Sequence, residues 1–115
     1  MATAELLVDT DIFIDHLRGH RGLPGGPVAY SIVTRAELFA GEREDDDNVR
    51  LLLAPHEELD ADRLVAEVAG QVRRRTGLAI ADGLIAGTAL VHGVPLLTRN
   101  VRHFQRVDGL RLANR

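Results

Sequence analysis

Asp9, Glu37 and Asn100 each stand at, or within one helical turn after, the carboxyl end of a stretch that reads as a strand, and Asp82 opens an apolar helical stretch. Such placements can bring four oxygen-bearing side chains to one edge of a sheet. Three carboxylates confined there would repel and raise one another's pKa, and a divalent cation is the natural compensation. The donors are all oxygen and the chain has no cysteine, so the hard ions Mg²⁺ or Mn²⁺ suit the set and zinc does not. Each acid also has a plainer reading. Asp9 or Asp11 suits a helix N-cap, Glu37 holds the reciprocal capping-box position to Thr34, and Asp82 in a first helical turn is favoured by the macrodipole. Capping alone leaves unexplained why charged acids, rather than Ser or Asn, recur at three strand-to-helix junctions.

The elements that must position these residues follow from apolar periodicity. Leu6-Leu7-Val8 reads as a strand stopping at Asp9, and Ile12, Phe13, Ile14 and Leu17 recur at helical spacing before Gly19. Four glycines and two prolines make 19–27 a loop. Val28 to Val33, rich in β-branched and aromatic residues, reads as a second strand that stops at Thr34, where the capping box starts a helix. Five acids and one arginine from Glu42 to Asp47 form a solvated connection, and Val49 to Leu53 adds a helical turn or two before Pro55. From Asp60 to Arg75, Leu64, Val65, Val68 and Val72 share one helical face, closed by Gly77. Asp82 to Val91, apolar nearly all round, reads as a buried central helix ended by Gly93 and Pro95. Val94 to Thr98 gives a third strand, Asn100 to Gln105 a last helix, and Leu110-Arg111-Leu112 a terminal strand. This alternation predicts an α/β fold, a central parallel sheet with helices on both faces, whose ligands bind beyond the carboxyl ends of the strands.

A chain of 115 residues suits a single domain over 1–115. With 45% hydrophobic but only 3% aromatic residues, its core must be built from Leu, Val, Ile and Ala. Fourteen basic against 17 acidic residues leave a formal charge of −3, so only a local patch can attract nucleic acid. Every basic residue is arginine, which excludes chemistry that needs a lysine, such as Schiff bases. Without cysteine, disulfides and thiolate catalysis drop out together. The opening Met1 to Glu5 has no positive region, and no apolar run approaches the roughly 18 residues of a membrane span. A cytoplasmic protein without membrane association is the expectation.

Four segments carry a family resemblance. Leu7-Val8-Asp9-Thr10-Asp11-Ile12-Phe13-Ile14-Asp15, Ser31-Ile32-Val33-Thr34-Arg35-Ala36-Glu37-Leu38-Phe39-Ala40-Gly41, Ile80-Ala81-Asp82-Gly83-Leu84-Ile85-Ala86-Gly87-Thr88-Ala89 and Leu96-Leu97-Thr98-Arg99-Asn100-Val101-Arg102-His103-Phe104 resemble, in order, the four motifs of PIN-domain ribonucleases of the VapC toxin type. The resemblance implies a PIN-like fold and a Mg²⁺-dependent endoribonuclease, a homodimer restrained by a VapB-type antitoxin, which cuts RNA to a 5′-phosphate and a 3′-hydroxyl. Asp9, Glu37 and Asp82 match the family's three acidic metal-site positions, and Asn100 the fourth, which is often Asp. Thr98 matches a hydroxyl position beside the site. Asp9 and Asp82 are then the expected direct ligands, with Glu37 orienting or deprotonating a water and Asn100 hydrogen-bonding a metal-bound water or the phosphate. Asp11 stands where many relatives have Asn or Ser, and both the Gly-Pro loop and the stretch 42–55 are short for the family.

The remaining signals are weaker. His16 and His20 are spaced i, i+4, but Gly19 intervenes and solvent exposure is the expectation. Arg73-Arg74-Arg75 suits a helix C-terminus, and five arginines against one acid from Arg99 onward offer a local basic rim. Tyr30, Phe13, Phe39 and Phe104 lie mostly on apolar faces, so base stacking on aromatics is not expected. Leu17, Leu38, Phe39, Leu51, Leu52 and Leu53 lie on or near the early helices and form the expected antitoxin groove. Two alternatives remain: a catalytically dead module that binds antitoxin or RNA, and a haloacid-dehalogenase-type phosphatase suggested by Asp9-Thr10-Asp11.

Overall fold

Residues 4–114 are described by a computed structural model, in which four short parallel strands carry helices on both faces. In chain order the elements are β1 (Leu7–Val8), α1 (Thr10–Leu17), β2 (Ala29–Ser31), α2 (Ile32–Phe39), a 3₁₀ turn (Arg43–Asp45), α3 (Asp46–Leu53), β3 (Glu57–Leu59), α4 (Arg63–Thr76), α5 (Ile80–His92), β4 (Leu96–Leu97) and α6 (Val101–Phe104). The sheet order is β3-β2-β1-β4, with Leu7 opposite both Ala29 and Leu96. Successive strand residues point to opposite faces. Leu7, Ala29 and Leu96 accordingly enter one core with Val72 of α4, Ile85, Ala86 and Ala89 of α5 and Phe104 of α6. Val8, Tyr30 and Leu97 enter the other, with Ile12 and Phe13 of α1, Leu38 of α2 and Val49 and Leu53 of α3.

The second junction differs from the sequence expectation. Strand β2 ends at Ser31, whose hydroxyl accepts from the Val33 N–H, so the helix begins at Ile32 and Thr34 lies inside it. Local β propensity in Ile32-Val33 yields to a cap that the chain reaches three residues earlier. The Thr34–Glu37 pair is therefore not a capping box.

A second difference concerns the fourth strand. Leu110-Arg111-Leu112 supplies only an isolated bridge, Leu96 to Leu112, while Glu57–Leu59 forms the edge strand beside β2. Two glutamates in three residues give no β signal. At an edge they are in place: Glu58 holds Arg35 and the Tyr30 hydroxyl, and Glu57 accepts from the Ala4 N–H.

Helices α4 and α5 form an antiparallel pair closed by the left-handed Gly77 (φ 75°). Their approach depends on two α5 glycines. A Cβ at Gly83 would lie 2.9 Å from the Ala69 carbonyl oxygen, and one at Gly87 3.1 Å from that of Val65. Asp82 immediately precedes the tighter contact, so this packing fixes where the α5 carboxylate stands. No helix among the described residues is long and apolar enough to cross a membrane.

Candidate active site

Asp9 leaves β1 extended (φ −71°, ψ 156°) and caps α1, its Oδ1 accepting from the Thr10 N–H at 2.8 Å. Capping uses only half of the carboxylate. Oδ2 accepts from the Thr98 hydroxyl at 2.7 Å, a contact spanning 89 residues of chain. Burial raises this carboxyl to about 7, the charges of Asp11 and Asp82 add to the rise, and the bonds from Thr98 and Thr10 oppose it. Asp82 reaches the same edge from the first turn of α5, which begins at Ala79 with no side-chain cap. It therefore does not cap, and it accepts no hydrogen bond from another described residue.

Glu37 comes from α2 and is tethered rather than packed. Its Oε1 accepts from the Thr10 hydroxyl at 2.7 Å, and that hydroxyl is 2.9 Å from the hydroxyl of the fully buried Thr34. A carboxylate has no proton to give, so Thr10 donates to Glu37 and Thr34 must donate to Thr10. Thr34 and Glu37 sit at i, i+3 on one face of α2. That spacing, which resembles a capping box, serves a hydroxyl chain running from the core to an exposed carboxylate.

The turn after β4 completes the edge. Thr98 gives its one proton to Asp9 and accepts from the Asn100 N–H at 2.9 Å. The Asn100 side chain pairs with the His103 ring at 2.9 Å, not with the acids. The structure thus gathers Asp9, Asp82 and Thr98, brings Glu37 in through Thr10, and keeps the Asn100 amide on α6.

Sequence reasoning read Asp11 as a candidate helix cap and Arg99 as part of a basic rim, assigned no role to Asp15, and did not foresee that the three meet. The Arg99 N–H donates to Asp11 Oδ2 at 3.0 Å, and its guanidinium pairs with Asp15 at 3.0 Å. Asp11 Oδ1 is buried and has no hydrogen-bond partner among the described residues, and burial is the main cause that raises its pKa. The i, i+4 spacing of the two acids on α1 was the available signal.

Whether these residues fit a divalent ion turns on their donors. Among the described residues no three of His, Cys, Asp and Glu come together in a group that could hold a metal ion by themselves. The charges of Asp11 and Asp82 both act on Asp9, and one oxygen of Asp11 is buried with no hydrogen-bond partner among the described residues. Such a set fits an ion held by one or two carboxylates and otherwise by water, the habit of Mg²⁺.

His16 and His20 are exposed, as expected, His20 lying 3.9 Å from Asp15. Phe13, Tyr30 and Phe104 are buried, and Phe39 lies under the Arg50 guanidinium. Of the expected basic rim, Arg99 is engaged by acids, Arg111 donates to the Gly93 carbonyl, and Arg115 lies outside the described residues, as does Met1 to Thr3.

A parallel α/β sheet with carboxylates gathered at its carboxyl edge defines a class, and the chain belongs to it: the PIN domain family model matches residues 6–110. Within that family it is of the VapC type, being 36% identical to Ribonuclease VapC10 of Mycobacterium tuberculosis over 92% of this chain and 90% of that one. It is also similar to a toxin-antitoxin complex from Klebsiella pneumoniae (25% identity, TM-score 0.77, 91% of this chain and 94% of that one). DNA-bound VapBC from Salmonella typhimurium is similar too (25%, TM-score 0.76, 96% and 98%). The family match leaves the haloacid-dehalogenase comparison with nothing beyond Asp9-Thr10-Asp11.

Proposed function

We propose that this protein is a Mg²⁺-dependent endoribonuclease, with Mn²⁺ able to substitute, and the toxin of a VapBC-type pair. The observation that carries the reading is the buried Asp9 carboxylate at the sheet edge, bonded by Thr98 and beside a buried Asp11 oxygen that has no partner among the described residues, in a chain related to a named ribonuclease. Asp9 and Asp82 would hold the ion, which when bound supplies Lewis acidity and a more acidic water. Glu37, held by Thr10, orients the attacking water and takes its proton. Thr98, by donating to Asp9 Oδ2, favours its ionised form and fixes its orientation. Asn100 binds the phosphate or its water shell once its amide turns from His103. Cleavage then leaves a 5′-phosphate and a 3′-hydroxyl.

The partners of this reading are RNA, a VapB-type antitoxin and a second copy of the chain, in the cytoplasm. Incubating purified protein with mixed RNA in Mg²⁺, in Mn²⁺ and in EDTA tests it. Cleavage in both metals and none in EDTA is expected. RNA that binds in Mg²⁺ but stays uncut would favour an inert binding module instead.

A further inference from the structure

The acidic edge can manage one phosphate, but an RNA strand brings one negative charge per nucleotide to a molecule of charge −3. Three arginines are neutralised by acids: Arg35 pairs with Glu58, Arg50 with Asp47 and Arg99 with Asp15. Arg75 and Arg106 are not, and they converge on one cavity. Among the described residues neither has a carboxylate ion-pair partner, and Arg106 donates one N–H to the neutral Thr76 carbonyl at 2.9 Å, which leaves its charge and remaining donors free. Both line a cavity of about 310 Å³ whose apolar floor includes Val72, Leu90 and Val107, with Asp108 as its one acid.

One end of the cavity, at Thr76, adjoins the α4–α5 turn that leads to Asp82 at the acidic edge of the sheet. Asp82 shares that edge with Asp9, and only residues 77–79 join the last turn of α4 to the first turn of α5. Four Cα steps from Thr76 to Ile80 span at most about 15 Å, and the Arg106 bond ties the segment after α6 to Thr76. A strand of RNA leaving the acids thus meets Arg75 and Arg106 within a few nucleotides.

Resting on the ribonuclease reading, we propose that this groove is a nucleotide subsite for single-stranded RNA flanking the cut. One base lies on the apolar floor and stacks on the Arg75 guanidinium, and the adjoining phosphate takes the free N–H groups of Arg106. With Phe13, Tyr30 and Phe104 buried, an arginine plane is the stacking surface that remains on this side of the molecule. The cavity volume is in the range of small-molecule pockets, so a single nucleotide can be accommodated.

The test is binding of a fluorescently labelled 12-nucleotide single-stranded RNA in EDTA, where no cleavage occurs, followed across salt concentration. Arg75→Gln and Arg106→Gln should each weaken binding about tenfold and lower the salt slope by roughly 0.7. Arg75→Lys should keep the slope but lose affinity, since the charge stays and the plane goes. Arg63→Gln removes the same charge from the opposite end of α4 and should change little. Arg75 has no hydrogen bond to lose within the described residues, so its variants separate binding from folding. In Mg²⁺ the same substitutions should raise KM and leave kcat intact. Unchanged affinity in Arg75→Gln and Arg106→Gln, or an equal loss in Arg63→Gln, overturns the subsite. Arginine-dependent binding by a wild-type protein that cuts no RNA would sustain the subsite and sink the ribonuclease reading.

Discussion

Asp9 makes the metal-free protein sensitive to pH in a direction opposite to that of an ordinary paired carboxylate. Folded, it keeps its proton to about 7; unfolded, it releases it near its ordinary value of 3.8. Between those values the folded state binds more protons, so this carboxyl costs no stability below 3.8, and its cost rises with pH to level off above 7 at an amount on the order of 4 kcal/mol. Denaturant midpoints in EDTA at pH 5 and pH 8 should show this loss, and Asp9→Asn should remove most of it while abolishing cleavage. An undiminished pH dependence in Asp9→Asn would place its origin elsewhere, with Asp11 next in line. Glu37 offers a second test. Since it is not a cap, Glu37→Gln should leave the melting temperature unchanged, because Gln still accepts from Thr10, and lower kcat by about 100-fold or more. Thr34→Val should cost about 1 kcal/mol by removing the donor that satisfies Thr10, with a smaller loss of kcat at constant KM. The acids were legible in the sequence because their type and their place at strand ends carry the signal. Thr10 and Thr34 were not, because their role exists only as a contact between two helices whose packing no local pattern records.

Among the elements, α4 and α5 were legible to within two or three residues at their starts and one at their ends, since an amphipathic period marks α4, a nearly continuous apolar run marks α5, and Gly77 and Gly93 close them. Strand β3 was invisible: three residues with two glutamates become a strand only because β2 offers an edge. The glycines of the α4–α5 pair likewise read as weak points in a helix until the neighbouring backbone is known. Gly83→Ala gains about 1 kcal/mol of helix propensity but drives a Cβ against the Ala69 carbonyl, and overpacking of that kind costs about 1–3 kcal/mol. A net fall in melting temperature is expected, together with weaker Mg²⁺ protection, since Asp82 moves with the helix. Gly70 on α4 meets nothing within 4 Å of an added Cβ. Gly70→Ala should therefore raise the melting temperature, and the opposite signs of the two variants are what calorimetry would check.

At the scale of the whole molecule, the apolar surface expected to receive an antitoxin proves narrower than the sequence suggested. Leu38 and Leu53 are core residues and Leu52 packs partly against the same core, whereas Leu51 is 73% exposed and Leu17 36%. Leu52→Asp would confuse folding with binding, so Leu51 is the residue to change. Ile32, 37% exposed, opens α2 at the acidic edge, and Phe39 closes the same helix under Arg50, the chain neighbour of Leu51 in α3. An α-helix rises about 1.5 Å per residue, so the eight residues of α2 span about 12 Å. A partner segment of roughly three helical turns could lie along α2 from the Leu51 surface to Ile32, and a basic side chain along its length would then meet Glu37. Leu51→Asp and Ile32→Asp should each weaken binding of the cognate antitoxin without lowering the melting temperature, and, being well separated, their free-energy effects should add. Mg²⁺ should relieve inhibition of the wild type, because the ion and the basic side chain compete for the same carboxylates. Isothermal titration of both variants, with and without Mg²⁺, measures each part: loss at Leu51 alone would confine the partner to the apolar surface, and undiminished binding in both would move it off α2 altogether.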